Sequence, residues 1–93
     1  MELVLRLEKV LPAETRQYKT KDGEERKIKK IPLILSRGND TLLVDASGKR
    51  ADLIEQNSLS VDCFYVCDLH AEVYRSTEGR YFGSIELLSI KKF

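Results

Sequence analysis

Seven of the fifteen residues from Arg16 to Lys30 are cationic: Arg16, Lys19, Lys21, Arg26, Lys27, Lys29 and Lys30. Asp22, Glu24 and Glu25 stand against them, so the stretch carries +4. The whole chain of 93 residues carries only +1, which leaves −3 for the remainder. Closely spaced ammonium and guanidinium groups neutralise a phosphate backbone and release its counterions, an attraction that weakens with salt. Tyr18 lies inside the basic run, and an aromatic ring among cations is the composition of a platform for stacking unpaired bases. The same composition suits a solvated ribbon whose lysines only keep its edges from pairing with other chains. The segment alone leaves both readings open.

A second cluster of this type is Tyr74, Arg75, Arg80, Tyr81 and Phe82. Its geometry follows from the pattern around it. Between Ser60 and Tyr74 the odd positions Val61, Cys63, Tyr65, Cys67, Leu69, Ala71 and Val73 carry no charge, while the even ones include Asp62, Asp68, His70 and Glu72. This period of two marks a strand with one buried face. A three-residue loop, Thr77-Glu78-Gly79, with Gly79 left-handed, pairs Arg75 with Tyr81, Tyr74 with Phe82, Val73 with Gly83, Glu72 with Ser84, Ala71 with Ile85, His70 with Glu86 and Leu69 with Leu87. Val73, Ala71, Ile85, Leu69 and Leu87 then share the core face. Tyr74 and Phe82 share the outer one, either as a stacking surface or as a cross-strand pair that only stabilises the hairpin. A two-residue turn would bury Glu86 opposite Ala71, so that register is rejected.

Extending the register pairs Asp68 with Leu88, Val66 with Ile90 and Phe64 with Lys92. Phe64, Val66, Leu88 and Ile90 would then form an apolar patch on the wet face, which predicts a homo-oligomer, dimer or tetramer, joined through it. A bulge near Leu88 that turns Leu88 and Ile90 inward is the alternative.

Catalytic chemistry has little to work with. The only histidine, His70, faces Glu86 with no nucleophile beside it, which reads as a cross-strand ion pair rather than a base and its orienter. No phosphate-binding glycine loop and no metal-ligand cluster is present, so neither an enzyme nor a cofactor is expected. Cys63 and Cys67, four apart on one strand, lie roughly 13 Å apart at about 3.3 Å per residue. That is beyond the ~7 Å limit of a disulfide. Both read as buried free thiols in a reducing, cytoplasmic compartment. No apolar run approaches the ~20 residues needed to cross a bilayer, so no membrane partner is expected. The start Met1-Glu2-Leu3 has neither the basic nor the apolar region of a secretion signal.

The elements that position these residues can be placed in order. Residues 2 to 11 form a strand with Leu3, Leu5 and Leu7 on one face. Ala13 to Lys30 forms a protruding β-ribbon turned at Asp22-Gly23. Ile28 to Leu35 is the second main strand, with Pro32 at an edge or bulge. Thr41 to Ala46 is the third. Lys49 to Gln56 is a short helix capped by Ser47 and stopped at Asn57. The closing hairpin supplies strands four and five. The order β-β-β-α-β-β matches a five-stranded oligonucleotide/oligosaccharide-binding (OB) Greek-key barrel, here all-β with one short helix and a ribbon between strands one and two. Residues 1–93 read as one domain.

Two segments carry a family likeness. Leu43-Val44-Asp45-Ala46-Ser47-Gly48-Lys49-Arg50-Ala51-Asp52-Leu53 is similar to the third strand and helix start of the bacterial single-stranded DNA-binding proteins and short relatives such as the primosomal replication protein B. The closing hairpin, with Tyr74-Arg75, Glu78-Gly79 and Arg80-Tyr81, resembles theirs. The resemblance implies the same barrel and single-stranded DNA as ligand. The family's stacking tryptophans are missing, as is its tail with an acidic tip; the chain has no Trp and ends Lys91-Lys92-Phe93.

The expectation is a non-catalytic module for single-stranded DNA or RNA. Arg16, Lys19, Lys21, Lys27, Lys29, Lys30, Arg75 and Arg80 would hold phosphates, and Tyr18, Tyr74, Tyr81 and Phe82 would stack on bases. The rival from a different class is a protein-interaction or assembly subunit on the same barrel, with the apolar hairpin patch as its site.

Overall fold

A computed structural model describes all of residues 1–93; apolar residues recur along five of its six strands, and the remaining strand, Glu14–Lys19, is polar and exposed throughout. The elements are β1 (Glu2–Val10), β2 (Glu14–Lys19), β3 (Glu25–Arg37), β4 (Asp40–Ser47), α1 (Lys49–Asn57), β5 (Phe64–Arg75) and β6 (Tyr81–Lys92). They form one sheet in the order β1-β5-β6-β4-β3-β2, and β1 also pairs with β3. Five strands therefore close on themselves as a small β-barrel, and β2 lies outside it along the first half of β3. All pairings are antiparallel except β4 with β6, which meet in parallel at Asp45 and Glu86.

Closure buries the alternating faces against each other. Leu5 and Leu7 meet Ile31, Leu33 and Leu35, Val44 and Ala46, Cys67 and Leu69, and Leu87; Ala51 and Ile54 of α1 join the cluster. No charged residue is buried. Burial pushes the Cys67 thiol up from 9.0 to about 11, because the thiolate would lose its water. Cys63 precedes β5 and is only half-buried, so it is not the fully buried thiol that strict alternation predicts.

The long strand β3 serves two partners. Residues 33–36 pair with β1, and residues 25–30 pair with β2. A bulge at Glu8 bends β1 away at this point. Pro32 sits at the handover. Its carbonyl accepts from Leu11 N–H at 2.9 Å, so the side on which its donor is missing faces the crossing from β1 to β2 and not a regular ladder. β3 is an inner strand and its ladder with β4 runs through Pro32 without a shift, so the expected edge or bulge is replaced by a gap between the β1 and β2 pairings.

Helix α1 starts differently from expectation. Ser47 ends β4, and Gly48 takes the cap position at φ 62°, ψ −125° with no side-chain cap bond. Its N–H donates to Lys29 C=O at 2.8 Å, and its own carbonyl accepts from Asp52 N–H. A positive φ here suits glycine, the residue without a Cβ penalty. The helix stops one residue later than Asn57, at Ser58 in a left-handed conformation.

The β5–β6 register from Arg75/Tyr81 to Leu69/Leu87 is the expected one. Two further expectations fail. Ala71 and Val73 have the core parity but are exposed, Val73 by 71%, because the hairpin outruns the barrel and leaves nothing for them to pack on. Beyond Leu69 a bulge shifts the ladder, so Asp68 faces Ser89, Cys67 faces Ile90 and Val66 faces Lys91. The extended pairing of Asp68 with Leu88, Val66 with Ile90 and Phe64 with Lys92 is thereby corrected. Ile90 turns to pack against the core, and Leu88 stays at the surface.

Candidate nucleic-acid interface

Two arms leave the barrel, and their tips are built alike. In the ribbon, Thr20 N–H donates to Glu24 C=O and Gly23 N–H to Thr20 C=O. In the hairpin, Ser76 N–H donates to Arg80 C=O and Gly79 N–H to Ser76 C=O. Both are three-residue loops closed by a left-handed glycine, Gly79 at φ 85°. The arms stretch the molecule: its radius of gyration is 14.5 Å, against about 12 Å for a compact chain of this length.

Between the arms lies a groove of about 800 Å³. Its floor is the outer face of β3 and β4, with Ile28, Lys30, Leu43 and Asp45; its walls are Arg16 of the ribbon and Tyr74 of the hairpin. Leu43 is 58% exposed there. Neither Ile28 nor Leu43 was singled out by the motif reading. The run Leu42-Leu43-Val44 contained the signal, since three consecutive apolar residues on a strand must put one on the wet face.

The basic segment does not form one surface. The ladder pairs Glu14 with Lys30, Arg16 with Ile28 and Tyr18 with Arg26 on the groove side. Thr15 with Lys29, Gln17 with Lys27 and Lys19 with Glu25 fall on the other side. Lys29 reaches α1, where its ammonium pairs with Glu55 and lies 3.9 Å from Asp52. Lys30 pairs with Asp45 at 3.4 Å. Lys21 is in the ribbon tip. Arg16, Lys19, Lys21, Lys27 and Arg75 make no ion pair.

The aromatic residues are also divided. Tyr74 and Phe82 stack across the hairpin, ring centroids 5.8 Å apart and planes 26° apart. Tyr74 lines the groove, and Phe82, beside it on the same hairpin face, does not. Tyr81 belongs to the opposite face, 72% exposed, with the Arg75 guanidinium 5.9 Å from its ring centre. Arg80 stands 4.0 Å from Glu78 in the loop. Tyr18 is half-exposed on the ribbon face that continues from Arg16.

Charge is distributed unevenly over this surface. The groove lining holds Arg16 and Lys30 against Asp45, Glu72 and Glu86, and Lys30 is already neutralised. Of the cations without an ion pair, Arg16, Lys19, Lys21, Lys27 and Arg75 lie on the arms, and Lys9, Arg37, Lys49, Arg50, Lys91 and Lys92 lie elsewhere. His70 and Glu86 are opposite one another as expected. The nearest carboxylate to the imidazole is, however, Glu72 at 3.8 Å, two residues along the same strand, so the expected cross-strand ion pair is replaced by a local one.

The four residues expected to form one apolar patch separate. Phe64, 52% exposed, and Val66 stay on the outer face of β5, while Leu88 and Ile90 line a different groove beside α1. Val4 takes their place, opposite Val66 on β1. No known family model matches the chain, and no curated protein matches it.

Proposed function

We propose that this protein is a non-catalytic binding module for single-stranded nucleic acid, DNA in the first instance. The observation that carries the reading is the groove flanked by two like-built arms, with Arg16 on one wall and Tyr74 on the other. The closed strand order, with a helix between β4 and β5 and a parallel β4–β6 contact, supports an OB barrel, whose flanking loops bind oligonucleotides. The likeness of Leu43 to Leu53 to the bacterial single-stranded DNA-binding proteins points the same way. In this chain that segment does structural work: Gly48 starts α1, Ala51 is fully buried and Asp52 lies near Lys29.

In this mechanism Arg16 holds phosphate at the groove wall and bases stack on Tyr74 and Tyr18, while Lys19, Lys21, Lys27, Arg75 and Arg80, on the tips and far faces of the arms, add long-range attraction to the polyanion. Each base stacked on a ring is worth about 1–3 kcal/mol. Lys29 and Lys30 hold the scaffold and leave phosphate contact to the others. The test is fluorescence anisotropy with labelled oligo-dT at low and high salt. Binding that weakens steeply with salt supports the proposal. Undetectable binding at low salt, or binding indifferent to salt, rejects it.

A second reading has its own observation. Val4 and Val66 are paired on the outer face with Phe64 close by on β5, and exposed apolar surface of this kind fits a homo-oligomer contact.

A further inference from the structure

Strand β6 has a free edge. Its neighbours are β5 and β4, and β4 reaches it only at Asp45/Glu86. From Leu88 onward no strand lies on that side. Phe93 N–H donates to Phe64 C=O, which fixes the alternation of the antiparallel ladder. With Lys91 facing Val66 in the bonded phase, the N–H and C=O of Ile90 and Lys92 point away from β5, toward the open edge. Arg50 Nε already donates to the Leu88 carbonyl from this side at 3.1 Å.

That edge opens into a groove of about 480 Å³ between β6 and α1. Leu53, Leu59 and Ile90 supply apolar surface; Arg50, Lys91 and Lys92 supply charge, and the lining contains no carboxylate. The helix is sorted accordingly. Asp52 and Glu55 turn to Lys29, whereas Arg50 and Leu53 turn to the groove. The one aromatic ring present, Tyr65, is buried with its hydroxyl accepting from Ser60 N–H at 2.8 Å, so no ring is available to stack on a base.

We propose that this groove binds an extended peptide segment in which acidic and apolar residues alternate, added as a strand to the Leu88–Lys92 edge. Open backbone donors and acceptors give a strand its ladder, and alternate side chains find the apolar floor and the cationic rim. The cations repel a basic segment and attract an acidic one. The site is separate from the groove between the arms and does not depend on nucleic-acid binding.

The experiment titrates the full chain into a fluorescein-labelled synthetic peptide alternating glutamate with valine and isoleucine, and into its counterpart with lysine for glutamate. The acidic peptide binds at least tenfold more tightly, and amide exchange of Ile90 and Lys92 slows on binding. Leu53→Glu weakens binding at least tenfold; Leu53 is 53% exposed, so its replacement leaves the core intact. Lys91→Glu with Lys92→Glu, both at exposed positions, gives the same loss should Leu53→Glu fold poorly. No binding of the acidic peptide at low salt, equal binding of both peptides, or unchanged binding by the folded variants overturns the proposal. Protection of the same amides by oligo-dT alone, or by self-association of the protein alone, overturns it as well.

Discussion

Lys30 of β3 and Asp45 of β4 meet diagonally across the ladder that pairs Lys30 with Ser47 and Pro32 with Asp45, Nζ 3.4 Å from Oδ2, with side chains only 16% and 24% exposed. An ion pair so far out of water lies between exposed pairs, worth about 0.2–1 kcal/mol, and buried ones, whose disruption costs about 3–5 kcal/mol. Lys30→Ala strands the Asp45 carboxylate and lowers stability by about 1–2 kcal/mol on that scale. Arg16→Ala breaks no ion pair and leaves stability within about 0.5 kcal/mol. In oligo-dT binding the two reverse. Arg16→Ala, at the groove wall, reduces the salt slope by about one, and Lys30→Ala leaves it nearly unchanged. Urea titration and salt-dependent anisotropy on both variants check the separation.

The Tyr74–Phe82 stack separates structural from ligand roles. Such a cross-strand aromatic pair stabilises a hairpin by up to about 1 kcal/mol. Tyr74→Leu keeps an apolar partner for Phe82 and removes the ring that faces the groove. Stability falls by less than about 1 kcal/mol, while oligo-dT binding weakens about tenfold, the loss of one modest stacking contact. Phe82→Leu, outside the groove lining, weakens binding far less. Equal effects of the two substitutions on binding would show that the rings act only through the hairpin.

The Cys67 thiol supplies a pH dependence of known sign. Its value rises from 9.0 unfolded to about 11 in the fold because burial penalises the thiolate. Between those values the folded state holds the proton more tightly than the unfolded one, so stability falls as pH rises through this window. Below about pH 9 the contribution is fully present. Cys67→Ala lowers stability through the lost packing but flattens this part of the profile, which urea midpoints across the window read directly. With a thiol reagent at neutral pH, half-buried Cys63 reacts first and Cys67 only on unfolding.

What could be read from residues alone was what local periodicity determines. Leu3, Leu5 and Leu7 announce β1, and the parity of Glu86 selects the hairpin register, because a one-residue slip would set it opposite Ala71 among the residues of core parity. The failures share a cause. Ala71 and Val73 alternate correctly, yet burial depends on whether another element covers the face, and the barrel ends before them. The bulge near Leu88 was legible only as an alternative, because Leu88 and Ile90 are tolerable on either side and the apolar pattern does not choose; the structure has the bulge and turns Ile90 inward, but leaves Leu88 at the surface. Lys29 and Lys30 counted equally in the charge of the ribbon; their partners Glu55 and Asp45 are distant in sequence, and only the closed sheet brings them near. Cationic composition identified the arms, but which cations remain free is a tertiary property.

The apolar outer face of β1 and β5 provides the last test. Val4 and Val66 are directly opposed, and Phe64 is exposed nearby on the same strand as Val66. A glutamate introduced at Val66 places a charge where a partner subunit would have to desolvate it, at a cost of several kcal/mol when unpaired. In the monomer the same side chain faces water and costs little. Val66→Glu therefore reduces the mass measured by light scattering to that of a single chain without lowering the melting temperature extrapolated to low concentration. Ile90→Glu is the contrasting substitution: Ile90 packs against the core, so its replacement unfolds the monomer and leaves no folded species to weigh. An unchanged mass for Val66→Glu would remove this face as the assembly surface.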